Sequence, residues 1–147
     1  MNKILLAFAI LSLSLVSCAS VQYASAPQDA LAKSFRPIND KALVYVFRKG
    51  YWGYTQTVPV MVDSRFVGAT GAASYLVVKV SPGDHLISAT TPESFSGVDI
   101  KAEPGKLYFI HMNVYTGFTC MRAAMEKVGE REGKEAVLKY QQVRTLE

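Results

Sequence analysis

The chain has 147 residues, half of them hydrophobic and 19% charged, with a formal net charge of +4. That length suits one domain whose core can stand without cross-links, and two cysteines supply no disulfide framework. A mild basic excess with no dense Lys/Arg block excludes an obvious nucleic-acid binder.

Residues 1–17 read as a secretory signal. Lys3 supplies the positive start, Ile4 to Ile10 an unbroken apolar run, and Leu11, Leu13 and Leu15 extend it. Charged start, short apolar middle and small residues before the cut are the marks of such a segment. It is too short and too rich in Ser for a bilayer span, which needs ~20 apolar residues. Its end, Leu15-Val16-Ser17-Cys18, resembles the lipobox of bacterial lipoproteins. The resemblance implies cleavage before Cys18, a diacylglycerol thioether on its sulfur and acylation of its new amino group. Two lipid signals already anchor stably, so three chains on Cys18 would hold firmly. Ala19, where Asp is absent, resembles lipoproteins sorted to the outer membrane; the expected location is that membrane, lipid-anchored, on its periplasmic side rather than the cell surface.

Residues 18–40 are rich in Ala, Ser, Gln and Pro. They are expected to form a flexible tether with a short helical turn from Pro27 to Phe35. A flexible linker of that length reaches ~25 Å. Residues 41–147 are expected to form the folded domain.

Ala42 to Phe47 is β-branched and aromatic on both alternating faces, which predicts a strand covered on both sides. Val58 to Val62 is a second strand, with Pro59 confined to its start, an edge or a bulge. Asp63-Ser64-Arg65 turns into Phe66-Val67-Gly68. Tyr75 to Val80 sets Leu76, Val78 and Val80 on one face. Ser81-Pro82-Gly83-Asp84 suits a type II turn into a strand from His85 to Ala89. Val98, Ile100 and Ala102 alternate with Asp99, Lys101 and Glu103 in a half-exposed strand. Glu103-Pro104-Gly105-Lys106 repeats the turn chemistry before a strand from Leu107 to Val114. Phe118 to Val128 reads as one further strand. Glu130 to Gln142 reads as a helix, with Ala136, Val137 and Tyr140 at helical spacing and Gly133 a weak point worth up to ~1 kcal/mol. The expected fold is mainly β: an antiparallel sandwich of about seven short strands with one C-terminal α-helix.

Val44-Tyr45-Val46-Phe47-Arg48, Val60-Met61-Val62-Asp63, Val67-Gly68, Pro82-Gly83-Asp84-His85 and Pro104-Gly105-Lys106-Leu107-Tyr108-Phe109 stand in one order. Together they resemble an uncharacterised family of small bacterial lipoproteins, a domain of unknown function, over roughly Lys41 to Tyr140. The stretch from Val60 to Ala89 also resembles the PEGA-type β-module of envelope proteins. One departure is visible: similar proteins carry Asp-Gly where this chain has Asp63-Ser64. The resemblance implies a β-sandwich in the envelope and brings no catalytic residues.

His85 and His111 are the two histidines, and Cys120 is the thiol left once Cys18 is lipidated. Zinc asks for three or four ligands in tetrahedral array, and no short ligand spacing joins these three. Neither a metal nor a cofactor is expected. Cys120 is expected to be buried as a small core residue. Cys120 with His111, and Asp99 as orienter, form the catalytic alternative: an envelope hydrolase. The residue types favouring a ligand surface lie in Arg48-Lys49-Gly50-Tyr51-Trp52-Gly53-Tyr54. Arg48, Lys49, Tyr51, Trp52 and Tyr54 combine cations with aromatic faces, which suits sugar rings and anionic headgroups. The competing reading folds those aromatics over an open end of the sheet.

The expectation is therefore a non-catalytic envelope lipoprotein. It would be anchored through Cys18 and act on a periplasmic protein or glycan. The alternatives are a hydrolase using Cys120 or a His, and a glycan-binding module built on the Tyr51–Tyr54 loop.

Overall fold

A computed structural model of the protein describes residues 21–50 and 56–146. Among these, two helices and nine strands follow in order: α1 (Ala26–Lys33), β1 (Ala42–Arg48), β2 (Val58–Val62), β3 (Arg65–Thr70), β4 (Ser74–Val80), β5 (Gly83–Thr91), β6 (Ser94–Ala102), β7 (Leu107–Thr116), β8 (Met121–Val128), α2 (Glu130–Lys139) and β9 (Gln141–Gln142). The strands form a five-stranded sheet, β8-β7-β1-β4-β9, facing a four-stranded sheet, β3-β2-β5-β6. The sandwich and the C-terminal helix agree with expectation. The pairing is not antiparallel throughout: β1 lies parallel to β7, and β4 to β9. The chain makes the second sheet between β1 and β7, so it returns to β1 from the same end.

All seven residues of β1 are buried. Ala42, Val44 and Val46 join Leu76, Ile87, Ile110 and Met112 in the core between the sheets. Leu43, Tyr45 and Phe47 point the other way, beneath the helices, with Tyr75, Phe109, Ala136 and Val137. A strand apolar on both faces needs a cover on each side. The second cover comes from α2 and from α1.

Here the structure departs from the expected tether. The chain from Val21 onward is packed against the domain. Tyr23 bridges Val143, and Ala24 N–H donates to Gln142 O at 2.9 Å. Asp29 on α1 accepts from the Tyr75 hydroxyl at 2.8 Å and from Gln142 N–H at 2.9 Å. Phe35 stands against Tyr45 and Phe109, at ring separations of 5.5 and 6.1 Å. Composition hid this because α1 is short and buries no residue fully.

Two unusual closures join the sheets along their sides. Ser94 and Ser96 of β6 reach the outer edge of β8. Their hydroxyls accept from Ala123 N–H at 2.8 Å and Met125 N–H at 2.9 Å. Side chains thus satisfy donors that an open edge would leave to solvent or to another chain. On the opposite side the C-terminal tail does the joining. Val143 N–H donates to Tyr75 O on β4, and Leu146 N–H to Val67 O on β3. The predicted C-terminal helix accordingly stops at Lys139 and gives way to β9.

Pro59 stands near the start of β2, beside a register shift at Val60/Met61, before pairing with β5 begins at Val60. Asp63 and Ser64 both have positive φ, 50° and 68°. That is the backbone of a type I′ hairpin turn, the type that favours Asp-Gly.

Candidate functional site

At one end of the sandwich, Arg48 closes β1, Gly71 precedes β4, and the β5–β6 and β7–β8 turns meet. We refer to this as the upper end. Arg48 is 2% exposed, and its Nη1 donates to Gln56 O at 2.7 Å. It straps the root of the loop that follows β1. Buried in that way, its guanidinium does not present a face to a ligand. Lys49 is half-buried, with Nζ 3.6 Å from Glu132 Oε1 on α2. Tyr51, Trp52 and Tyr54 lie outside the described residues, as does Cys18.

The densest polar contact of this end was not foreseen. Glu93, in the β5–β6 turn, takes hold of the β7–β8 turn. Its Oε2 accepts from Phe118 N–H at 2.7 Å. Its Oε1 accepts from Cys120 N–H at 2.7 Å and from the Thr119 hydroxyl at 2.6 Å, and also from Thr119 N–H. Arg122 Nε stands 3.4 Å from Oε2. Bonds from the hydroxyl and amide of Thr119 and the neighbouring N–H groups hold the Glu93 carboxyl down at about 2. Three successive N–H groups converging on one oxyanion form a nest, here filled by the protein's own carboxylate. A lone Glu in a turn gives no sequence signal of such a long-range clamp. The strand expected from Phe118 starts only at Met121, because Phe118, Thr119 and Cys120 turn their N–H groups onto Glu93 instead of pairing in the ladder.

The catalytic alternative does not assemble. His111 lies opposite Glu126, five pairs down the ladder from Thr116 and Met121, so Cys120 stands ~16 Å further along. His111 shares the helix-covered face of β7 with Phe109. Asp99 is exposed on the outer face of β6, in the other sheet. The three groups therefore point into three different places. His111 is stacked on Phe47 at 5.2 Å, and its Nδ1 is 3.1 Å from Glu126 Oε1. Its Nε2 is buried with no hydrogen-bond partner among the described residues. Cys120 is half-buried rather than a core residue, and its carbonyl accepts from Gly117 N–H at 2.7 Å.

His85 lies toward the lower end. Its Nε2 meets Ser81 O at 2.8 Å across its own hairpin, and its Nδ1 meets Asp63 Oδ2 at 2.6 Å. The hydrogen bond to Asp63 raises the His85 pKa, and its counterpart lowers that of Asp63. Asp63 Oδ1 also accepts from Leu86 N–H at 2.9 Å. The pair fastens the β2–β3 turn to β5. Among the described residues, no three His, Cys, Asp or Glu side chains lie close enough together to hold a metal ion.

The lower end carries an open groove of about 550 Å³ between the β6–β7 turn and the start of α2. Lys101, Lys106 and Lys127 line it with Glu103 and Glu130. The Lys127 ammonium stands 5.1 Å from the Tyr108 ring centroid, and the Tyr108 hydroxyl donates to Lys101 O at 2.7 Å.

Residues 38–124 match the family model described as "Protein of unknown function (DUF2846)". The chain belongs to that family. The match begins near the expected Lys41 and stops within β8, so the family region leaves out α1, α2 and the C-terminal tail. An uncharacterised protein of Haemophilus influenzae is 33% identical over 129 residues, covering 87% of this chain and 77% of that protein. No solved structure matches. Among the described residues, no helix is long and apolar enough to cross a membrane.

Proposed function

We propose that this DUF2846 protein is an envelope lipoprotein, anchored through Cys18 and acting as a non-catalytic interaction module. The signal segment ending Leu-Val-Ser-Cys supports the anchor. The observation that carries the non-catalytic reading is the separation of Cys120, His111 and Asp99. A nucleophile needs its base within about 3 Å and the base needs its orienter. Here they stand on different levels and on different faces.

The working surfaces are then the two ends of the sandwich. The stretch from Val60 to Ala89, whose sequence resembles a PEGA-type module, runs from β2 to β5, with β2, β3 and β5 in the second sheet and β4 in the first. The outer-membrane assignment rests on Ala19.

Mass spectrometry of the protein recovered from membranes tests the anchor. The expected N-terminus is an acylated Cys18, and Cys18→Ala is expected to shift the protein into the soluble fraction. An unmodified N-terminus upstream of residue 18 overturns the reading. Treatment with a thiol reagent tests the catalytic alternative, since thiol-sensitive hydrolysis of an envelope ester or amide would restore it.

A further inference from the structure

The β7–β8 hairpin runs on past the rest of its sheet. The last register pair between β1 and β7 is Phe47 with His111, yet β7 continues to Thr116, five residues or ~16 Å further. At the apex Phe118 is 94% exposed. Just below it Tyr115 and Arg122 face each other across the ladder, both exposed. On the neighbouring β5–β6 hairpin Phe95 is 65% exposed. A single exposed apolar side chain means little. This one is held differently. Glu93 holds the N–H groups of Phe118, Thr119 and Cys120 and ties the two hairpins together, so the ring is presented on a rigid tip rather than on a loose loop.

The chain itself says what lies in front of that tip. Val21 packs at the upper end: a Cβ on Gly71 would stand 2.9 Å from Val21 Cγ2, and Gly71 N–H donates to the Ser74 hydroxyl at the start of β4. From Val21 back to Cys18 is three residues, which extend to ~11 Å at most. A lipidated Cys18 therefore keeps the upper end close to the bilayer, the same end from which the hairpin projects. Apolar apex, then Tyr and Arg at the next level, is the order of groups met on passing out of a bilayer through its headgroups. The one carboxylate at the tip, Glu93, is already answered by N–H donors and Arg122, so it adds little repulsion from anionic lipid.

We propose that the clamped β7–β8 tip, Phe118 foremost, docks into the surface of the bilayer that holds Cys18. The proposal rests on the lipoprotein reading. It makes the domain a body laid against the membrane, with the lysine-lined groove turned away from it.

Phe118→Trp, in a chain whose native tryptophan is removed by Trp52→Phe, provides the probe. The lipidated protein is purified from membranes and reconstituted into vesicles of phosphatidylethanolamine and phosphatidylglycerol, with or without lipid brominated near the headgroup. Its acylation is checked by mass. The expected fluorescence is blue-shifted and quenched by roughly half or more in brominated vesicles, as for a ring at the interface. An acylated, vesicle-bound protein whose residue 118 stays unquenched and water-like overturns the docking and leaves the anchor standing. Crosslinking of position 118 to another protein in cells, with no lipid quenching, assigns the tip to that protein instead. A protein without acyl chains that does not bind vesicles overturns both readings.

Discussion

Gly133 rests on the ring of Phe109: a Cβ added to the glycine would stand 2.2 Å from Phe109 Cγ. Sequence propensity marks this glycine as a defect in α2, and alanine as a gain of up to ~1 kcal/mol. The packing reverses the sign. Gly133→Ala is expected to lift α2 from β7 and destabilise the fold by about 1–3 kcal/mol, as overpacking does. Urea unfolding measures it, and an unchanged or raised midpoint would contradict the packing.

The turn at Asp63-Ser64 holds a non-glycine residue at φ 68°. Left-handed backbone costs an L-residue roughly 1–2 kcal/mol. Ser64→Gly is expected to stabilise by about 1 kcal/mol and raise Tm by roughly 3 °C. Ser64→Val is expected to lower it.

Asp29 joins α1 to the sheet and to the tail. Burial alone would raise its pKa, but hydrogen bonds from Lys33, Tyr75 and Gln142 N–H outweigh that and lower it. Asp29→Ala leaves the Tyr75 hydroxyl and the Gln142 amide without their acceptor, at an expected cost of about 2 kcal/mol. A double-mutant cycle with Tyr75→Phe reads the shared part. A chain starting at Lys41 is expected to expose Tyr45 and Tyr75 and to bind a hydrophobic dye. A loose tether would predict no change in either experiment.

The His85–Asp63 pair titrates from both sides. His85 is raised, so its contribution is full below the unfolded histidine value near 6.5 and fades as pH climbs through its folded value. Asp63 is lowered, so its contribution is full above the unfolded value near 3.9 and fades as pH drops through its folded value. The stability gap between the native chain and Asp63→Asn is expected to be widest near pH 5, between the two unfolded values, and to narrow as pH rises through the folded value of His85 or falls through that of Asp63. A gap independent of pH would show that the Leu86 amide alone accounts for the role of Asp63.

The Glu93 clamp is expected to survive mild acid. Its carboxyl titrates at about 2, so its contribution is present above the unfolded carboxylate range and is lost as pH falls through that value. Glu93→Ala is expected to speed amide exchange at Phe118, Thr119 and Cys120 while leaving β1 protected. Exchange at those three amides that is already fast in the native chain would show that no clamp operates.

Much of the fold is legible in the sequence because each strand carries its own burial pattern. β1 declares two covered faces, β6 declares one, and the Pro-Gly turns punctuate them. The parallel partner of β4, β9, is two residues long and has no pattern to read. The helix near Pro27 is expected and forms as α1, but its docking hides because the anchors are Asp29 and, just past the helix, Phe35, whose partners lie far along the chain. The site is less legible for the same reason. Arg48 looks like a surface cation until Gln56 is seen closing on it, and Glu93 looks like a turn residue until the β7–β8 turn arrives beneath it. Distances between remote segments decide both, and a linear pattern carries none.

The tail from Val143 to Leu146 binds β4, β3 and the segment at Gln22 together. The first and last described segments thus complete one another, and neither sheet is sealed until residue 146 has been delivered. Such a body stays open while it is being threaded through any narrow passage, and closes only once the segment from Val143 to Leu146 has come through.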